Sequence, residues 1–68
     1  MTSREVIRKL LKLGCTELRQ KGSHKFFVSA CGNCFTTVAD HPGDIKTGTL
    51  SGIKKDMEPC LGKSWLNR

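Results

Sequence analysis

Two glycine-centred turns, Lys21-Gly22-Ser23 and Cys31-Gly32-Asn33, constrain this chain more than any other feature. They divide its middle into three short extended runs, roughly Cys15–Gln20, His24–Ala30 and Cys34–Ala39. The second carries Phe26, Phe27 and Val28. The third is rich in aromatic and β-branched residues that suit a pleated surface. Connections this short favour antiparallel neighbours, so the runs predict a three-stranded meander. Alternation along the second run groups His24 with Phe26 and Val28, and sets Lys25 and Phe27 on the opposite face.

Helical patterns flank the runs. Thr2 and Glu5 fit a capping box, in which hydroxyl and carboxylate satisfy free backbone amides. Val6, Ile7, Leu10, Leu11 and Leu13 then recur at helical spacing as one apolar stripe, with Arg4, Arg8, Lys9 and Lys12 mostly off it. Gly14 is placed to end this helix. Asp40-His41-Pro42-Gly43-Asp44 has turn chemistry. A second helix is predicted from near Thr47 or Thr49, with Leu50, Ile53 and Met57 at core spacing and Pro59 limiting it. Leu61, Trp65 and Leu66 fold back onto the body, with room for a short third helix. The fold class expected is α+β, in the order helix-strand-strand-strand-helix. Both main helices cover one face of a three-stranded antiparallel sheet and leave the other in water.

The 68 residues form one domain, residues 1–68. A domain this size buries only about 60% of its unfolded surface. Any active site is therefore shallow, built from a few side chains, with no room for a cofactor-binding fold. Twelve Lys and Arg against six Asp and Glu give a net charge of +6. That field attracts polyanions. Nucleic acid is the leading partner, and an acidic protein that masks the same surface is the second; solubility alone is the plainer alternative. No secretory signal pattern opens the sequence, and charges break every apolar stretch well short of a membrane span. The expected location is cytoplasmic, where the four cysteines would be reduced thiols.

The candidate chemistry centres on Gly22-Ser23-His24. Histidine takes and gives a proton near neutral pH, its ordinary pKa being about 6.5. Flanked by Lys21 and Lys25, His24 suits proton transfer beside a phosphate, which suggests RNA cleavage. Lys21, Lys25 or Arg19 would stabilise phosphoryl charge, Gly22 would let the RNA backbone approach, and Ser23 would orient the imidazole or donate to phosphate. The plainer alternative is an ordinary hairpin turn with a half-buried strand histidine. Lys46, before Gly48-Thr49-Leu50, could hold an RNA phosphate at the second helix's N-terminus; Thr49 is more simply that helix's cap. Cys31-Gly32-Asn33-Cys34 has the spacing of half a zinc knuckle but no second close pair, so the thiols are expected to be metal-free. Phe26, Phe27, Phe35 and Trp65 could stack on bases. In so small a domain aromatics are more often core, so at least two of the three Phe residues are expected to be buried.

Three segments together resemble the HicA-type mRNA interferases, the toxin half of a toxin–antitoxin pair. They are Arg4-Glu5-Val6-Ile7, Arg19-Gln20-Lys21-Gly22-Ser23-His24 and Lys46-Thr47-Gly48-Thr49-Leu50, in the same order. The resemblance implies a double-stranded-RNA-binding-domain-like fold and an endoribonuclease acting on mRNA. It implies His24 as the catalytic residue and a HicB-type antitoxin as the partner that covers the active surface. The family often shows a proline shortly before a histidine after the third strand; here the order is Ala39-Asp40-His41-Pro42. The expected mechanism is metal-independent acid–base catalysis without a cofactor. A non-catalytic RNA-binding module of the same fold is the alternative, and a purely protein-binding domain is a third.

Overall fold

A computed structural model describes residues 1–67. The order is α1 (Ser3–Lys12), β1 (Thr16–Lys21), β2 (His24–Val28), β3 (Phe35–Ala39), α2 (Thr47–Leu61) and a 3-10 turn, η1 (Trp65–Asn67). The strands form one antiparallel sheet in the order β1-β2-β3. β2 ends at Val28, short of Ala30, because Ser29 opens the connecting loop: Gly32 N–H closes a turn onto Ser29 C=O at 2.9 Å.

Helix α1 begins with the expected capping box. Thr2 Oγ1 accepts from Glu5 N–H at 3.2 Å, and Glu5 Oε1 accepts from Thr2 N–H at 2.9 Å. The bond from the Thr2 backbone N–H holds the Glu5 carboxyl below the usual carboxylate range. Val6 and Leu10 are fully buried, whereas Leu11 of the predicted stripe is exposed. Leu13 caps the helix and Gly14 follows with φ +91°.

Helix α2 starts at Thr47, as expected, but differs from expectation in its cap and at its far end. Lys46, not a threonine, is its N-cap, and no side chain bonds the free amides there; Thr49 is exposed within the helix. At the other end the helix runs through Pro59 to Leu61. Trp65 is fully buried against this stretch and donates its indole N–H to Lys54 C=O at 2.9 Å. Burial of so large a side chain outweighs the one ladder bond that proline cannot donate.

The core settles which sheet face is covered. Val6 and Leu10 of α1, Phe27 and Val38 of the sheet, Ile53 and Met57 of α2, and Trp65 and Leu66 of η1 form one buried cluster. The face carrying Lys25, Phe27, Thr36 and Val38 therefore lies under the helices. The face carrying His24, Phe26, Val28, Phe35, Thr37 and Ala39 is open. Of the three Phe residues only Phe27 is buried; Phe26 is half-buried and Phe35 is 60% exposed, contrary to the expected two. A two-helix layer on a three-stranded sheet covers one side, and β-strand alternation leaves Phe35 on the other.

The expected reduced cysteines are also corrected. Cys34 and Cys60 form a disulfide that ties the start of β3 to the last turn of α2. The two residues are 26 apart in sequence, so only the folded chain brings them together. Cys15 and Cys31 are free thiols. Cys34 thus pairs with Cys60 and not with Cys31 across the hairpin loop.

Candidate nucleic-acid interface on the open sheet face

His24 is the first residue of β2 and is exposed to solvent. The Gly22-Ser23 hairpin turn puts it directly opposite Lys21, and β3 puts Ala39 on its other side. Gly22 sits at φ +59°, the positive value a two-residue II′ hairpin requires at its first central position. Gln20 Nε2 donates to Gly22 C=O at 2.9 Å, and Asp40 N–H donates to Ser23 C=O at 2.6 Å. The imidazole is therefore exposed on a backbone fixed from both sides. Directly opposed residues in a sheet have Cβ atoms about 5 Å apart, which sets the scale of the Lys21–His24 pair.

A β-bulge lets β1 serve both faces. The register shifts between Glu17 and Arg19, leaving Leu18 as the extra residue. Strict alternation would place Glu17 and Arg19 on one side. With the bulge, Glu17 pairs with Phe27 over the core, while Arg19 pairs with Phe26 on the open face. The Arg19 guanidinium lies over the Phe26 ring at 4.8 Å, a cation–π contact. Arg19, Lys21, His24 and Phe26 thus share one surface, and Phe35 continues it opposite Val28. Leu18, 55% exposed, borders a groove that runs to the helix side, where Phe27, Thr36, Gly52, Ile53 and Asp56 line it.

Lys25 is placed differently from its sequence neighbours. It points to the helix side, half-buried, with its ammonium 3.8 Å from Glu17 and 3.7 Å from Asp40. Its charge is spent on two carboxylates, whereas Lys21 stands beside the imidazole. Ser23 is half-buried in the turn. Lys46 lies elsewhere, in a recess of about 240 Å³ that it lines with Ser3, Ala39, His41, Thr49 and Ile53. His24 is not on that lining. The link between the two places is Ala39, which pairs with His24 and whose C=O accepts from the buried Ser3 hydroxyl at 2.7 Å.

Sequence reasoning did not find the Arg19–Phe26 stack, the carboxylates holding Lys25, or the Cys34–Cys60 bridge. The stack and the Glu17 contact depend on the bulge, which no residue type at Leu18 announces, and the Asp40 contact depends on how β3 pairs with β2. The third depends on where α2 ends.

The chain matches the model of the HicA toxin of bacterial toxin–antitoxin systems over residues 3–58. It belongs to the HicA toxin family. The match takes in α1, the whole sheet and most of α2; Cys60, Trp65 and Leu66 lie beyond it. No curated protein and no solved structure matches the chain. Membership in a toxin–antitoxin family implies an antitoxin partner. Among the described residues no helix is long and apolar enough to cross a membrane, and no three His, Cys, Asp or Glu side chains are grouped to hold a metal ion.

Proposed function

We propose that this HicA-family chain is an mRNA interferase that cuts single-stranded RNA at the open sheet face, with His24 as the catalytic residue. The observation that carries the reading is the exposed His24 opposite Lys21, with Arg19 and Phe26 next along the same face. RNA carries its own nucleophile. The 2′-hydroxyl attacks the adjacent phosphorus, the P–O5′ bond breaks, and the 5′-oxygen leaves with a proton. His24 takes the 2′-hydroxyl proton and gives one to the departing 5′-oxygen, a service worth typically ~10²–10⁴ in rate. Lys21 lies within reach of the phosphoryl oxygens on which negative charge builds, and Arg19 extends the cationic edge. Gly22 offers no side chain to fend off the RNA backbone; nothing lies within 4 Å of where its Cβ would stand. Lys25 supports the site from below through Glu17 and Asp40, in place of the direct phosphate contact expected from sequence.

Bases have a platform on the same face. Phe35 and the Arg19–Phe26 pair suit stacking by unpaired bases. Lys46, beside the amides of α2 that no side chain caps, takes a further phosphate. The antitoxin, of the HicB type and acidic, covers His24 and this cationic edge.

The product ends test the reaction class. Cleavage of a long mRNA in the presence of EDTA should leave 2′,3′-cyclic phosphate or 3′-phosphate ends. A 3′-hydroxyl on the upstream fragment would exclude the 2′-hydroxyl as nucleophile. RNA binding without cleavage would make the chain a binding module only.

A further inference from the structure

Three of the four cysteines meet near the end of the β2–β3 pair remote from His24. Cys34 and Cys60 are bonded, and the Cys31 sulfur lies 3.3 Å from the Cys60 sulfur. Cys34 is buried, Cys60 is half-buried and Cys31 is exposed. We propose that Cys31, Cys60 and Cys34 form a thiol–disulfide exchange site, in which Cys31 displaces Cys34 from Cys60 and carries the disulfide to the surface, where a low-molecular-weight thiol reaches it.

The chemistry is set by contacts around Cys31. Ser29 Oγ lies 3.2 Å from the Cys31 sulfur and accepts from Cys34 N–H at 3.2 Å, which leaves the serine proton free to point at sulfur. That hydrogen bond, followed by one from the Asn33 backbone N–H, holds the Cys31 thiol below its ordinary range. The thiolate is the attacking form. Cys15 is the contrasting case: burial first, then the neighbouring Cys31 charge, push its thiol up.

The step balances without an added oxidant. The Cys31 thiolate gives an electron pair to Cys60 sulfur and forms Cys31–Cys60. The Cys34–Cys60 bond breaks, its pair leaves on Cys34 sulfur, and that thiolate takes the proton Cys31 gave up. One disulfide and one thiol exist before and after. Cys34 is shielded from an outside thiol, whereas a bridge ending at Cys31 is open to one. A glutathione-class thiol then attacks Cys31 sulfur, forms a mixed disulfide there and releases Cys60 as its thiolate; a second thiol completes the reduction. Cys31 is thus the port through which the bridge between β3 and α2 is opened.

Disulfide mapping of the full chain tests this. The protein is equilibrated at mildly alkaline pH, quenched in acid, alkylated and digested. The proposal predicts both Cys31–Cys60 and Cys34–Cys60 peptides, with alkylated Cys34 matching the former. In reduced glutathione, Cys31→Ser should lose its bridge about tenfold more slowly than the unaltered chain, since it lacks the intramolecular attack. Cys34–Cys60 as the sole bridge, or equal reduction rates for the two folded proteins, would overturn it. The mapping on the unaltered chain needs no variant to fold.

Discussion

At the residue scale, Lys21 and Lys25 are three and one positions from His24, and sequence treats them alike. Pairing separates them. Lys21 stands across from the imidazole on the open face, while Lys25 turns inward to Glu17 and Asp40. Lys21→Ala should therefore lower the cleavage rate by about ten- to a hundredfold, the scale of losing one cation at a developing phosphoryl charge. Lys25→Ala should leave that rate within about threefold and lower stability in urea by about 1 kcal/mol or less, because its ion pairs are partly solvated. Single-turnover cleavage beside urea titration of both variants checks the pair. Equal rate losses would remove the face assignment. The exposed place of His24 at the head of its strand was legible from the glycine turn before it. The stack of Arg19 on Phe26 was not, because it requires knowing that Leu18 is the extra residue of a bulge.

At the scale of elements, the hairpins and α1 follow directly from local chemistry. A capping box, an apolar stripe and Gly14 mark one helix, and Gly22 marks a two-residue turn. Helix α2 is harder to read. Its N-cap is a lysine without a side-chain bond, and it passes through Pro59. The second departure is a tertiary effect. The last turn is held by the Cys34–Cys60 bridge, and Trp65 packs against the helix and bonds Lys54 C=O about two turns before its end; neither contact is local in sequence. Trp65→Ala should cost about 3–5 kcal/mol, the range for emptying a buried aromatic site. Trp65→Phe should cost less, since it keeps most of the volume and loses the bond to Lys54. Thermal unfolding of the two variants checks the order. A small loss for Trp65→Ala would show that η1 does not complete the core.

At the scale of the whole molecule, the sheet divides the labour. One face, with both helices and η1, supplies the only large apolar cluster among the described residues. The other is left for cations, an imidazole and an exposed Phe35. The sequence pattern predicts this division but not which face is which, since Phe26 and Phe27 are equally apolar neighbours. With a net charge of +6, the proposed RNA affinity should depend on salt. If Lys46 holds a phosphate, Lys46→Ala should reduce the slope of log affinity against log salt by about 0.7, one single-strand contact. An unaltered slope would leave Lys46 out of the interface.

The central claim is that one exposed imidazole on a rigid hairpin moves the proton in RNA cleavage. The most direct measurement is the single-turnover cleavage rate of an mRNA by folded His24→Ala beside the unaltered chain, both in EDTA. The account predicts a loss of about 10²-fold or more for His24→Ala, with RNA affinity little changed. Cleavage by His24→Ala at the unaltered rate would contradict it.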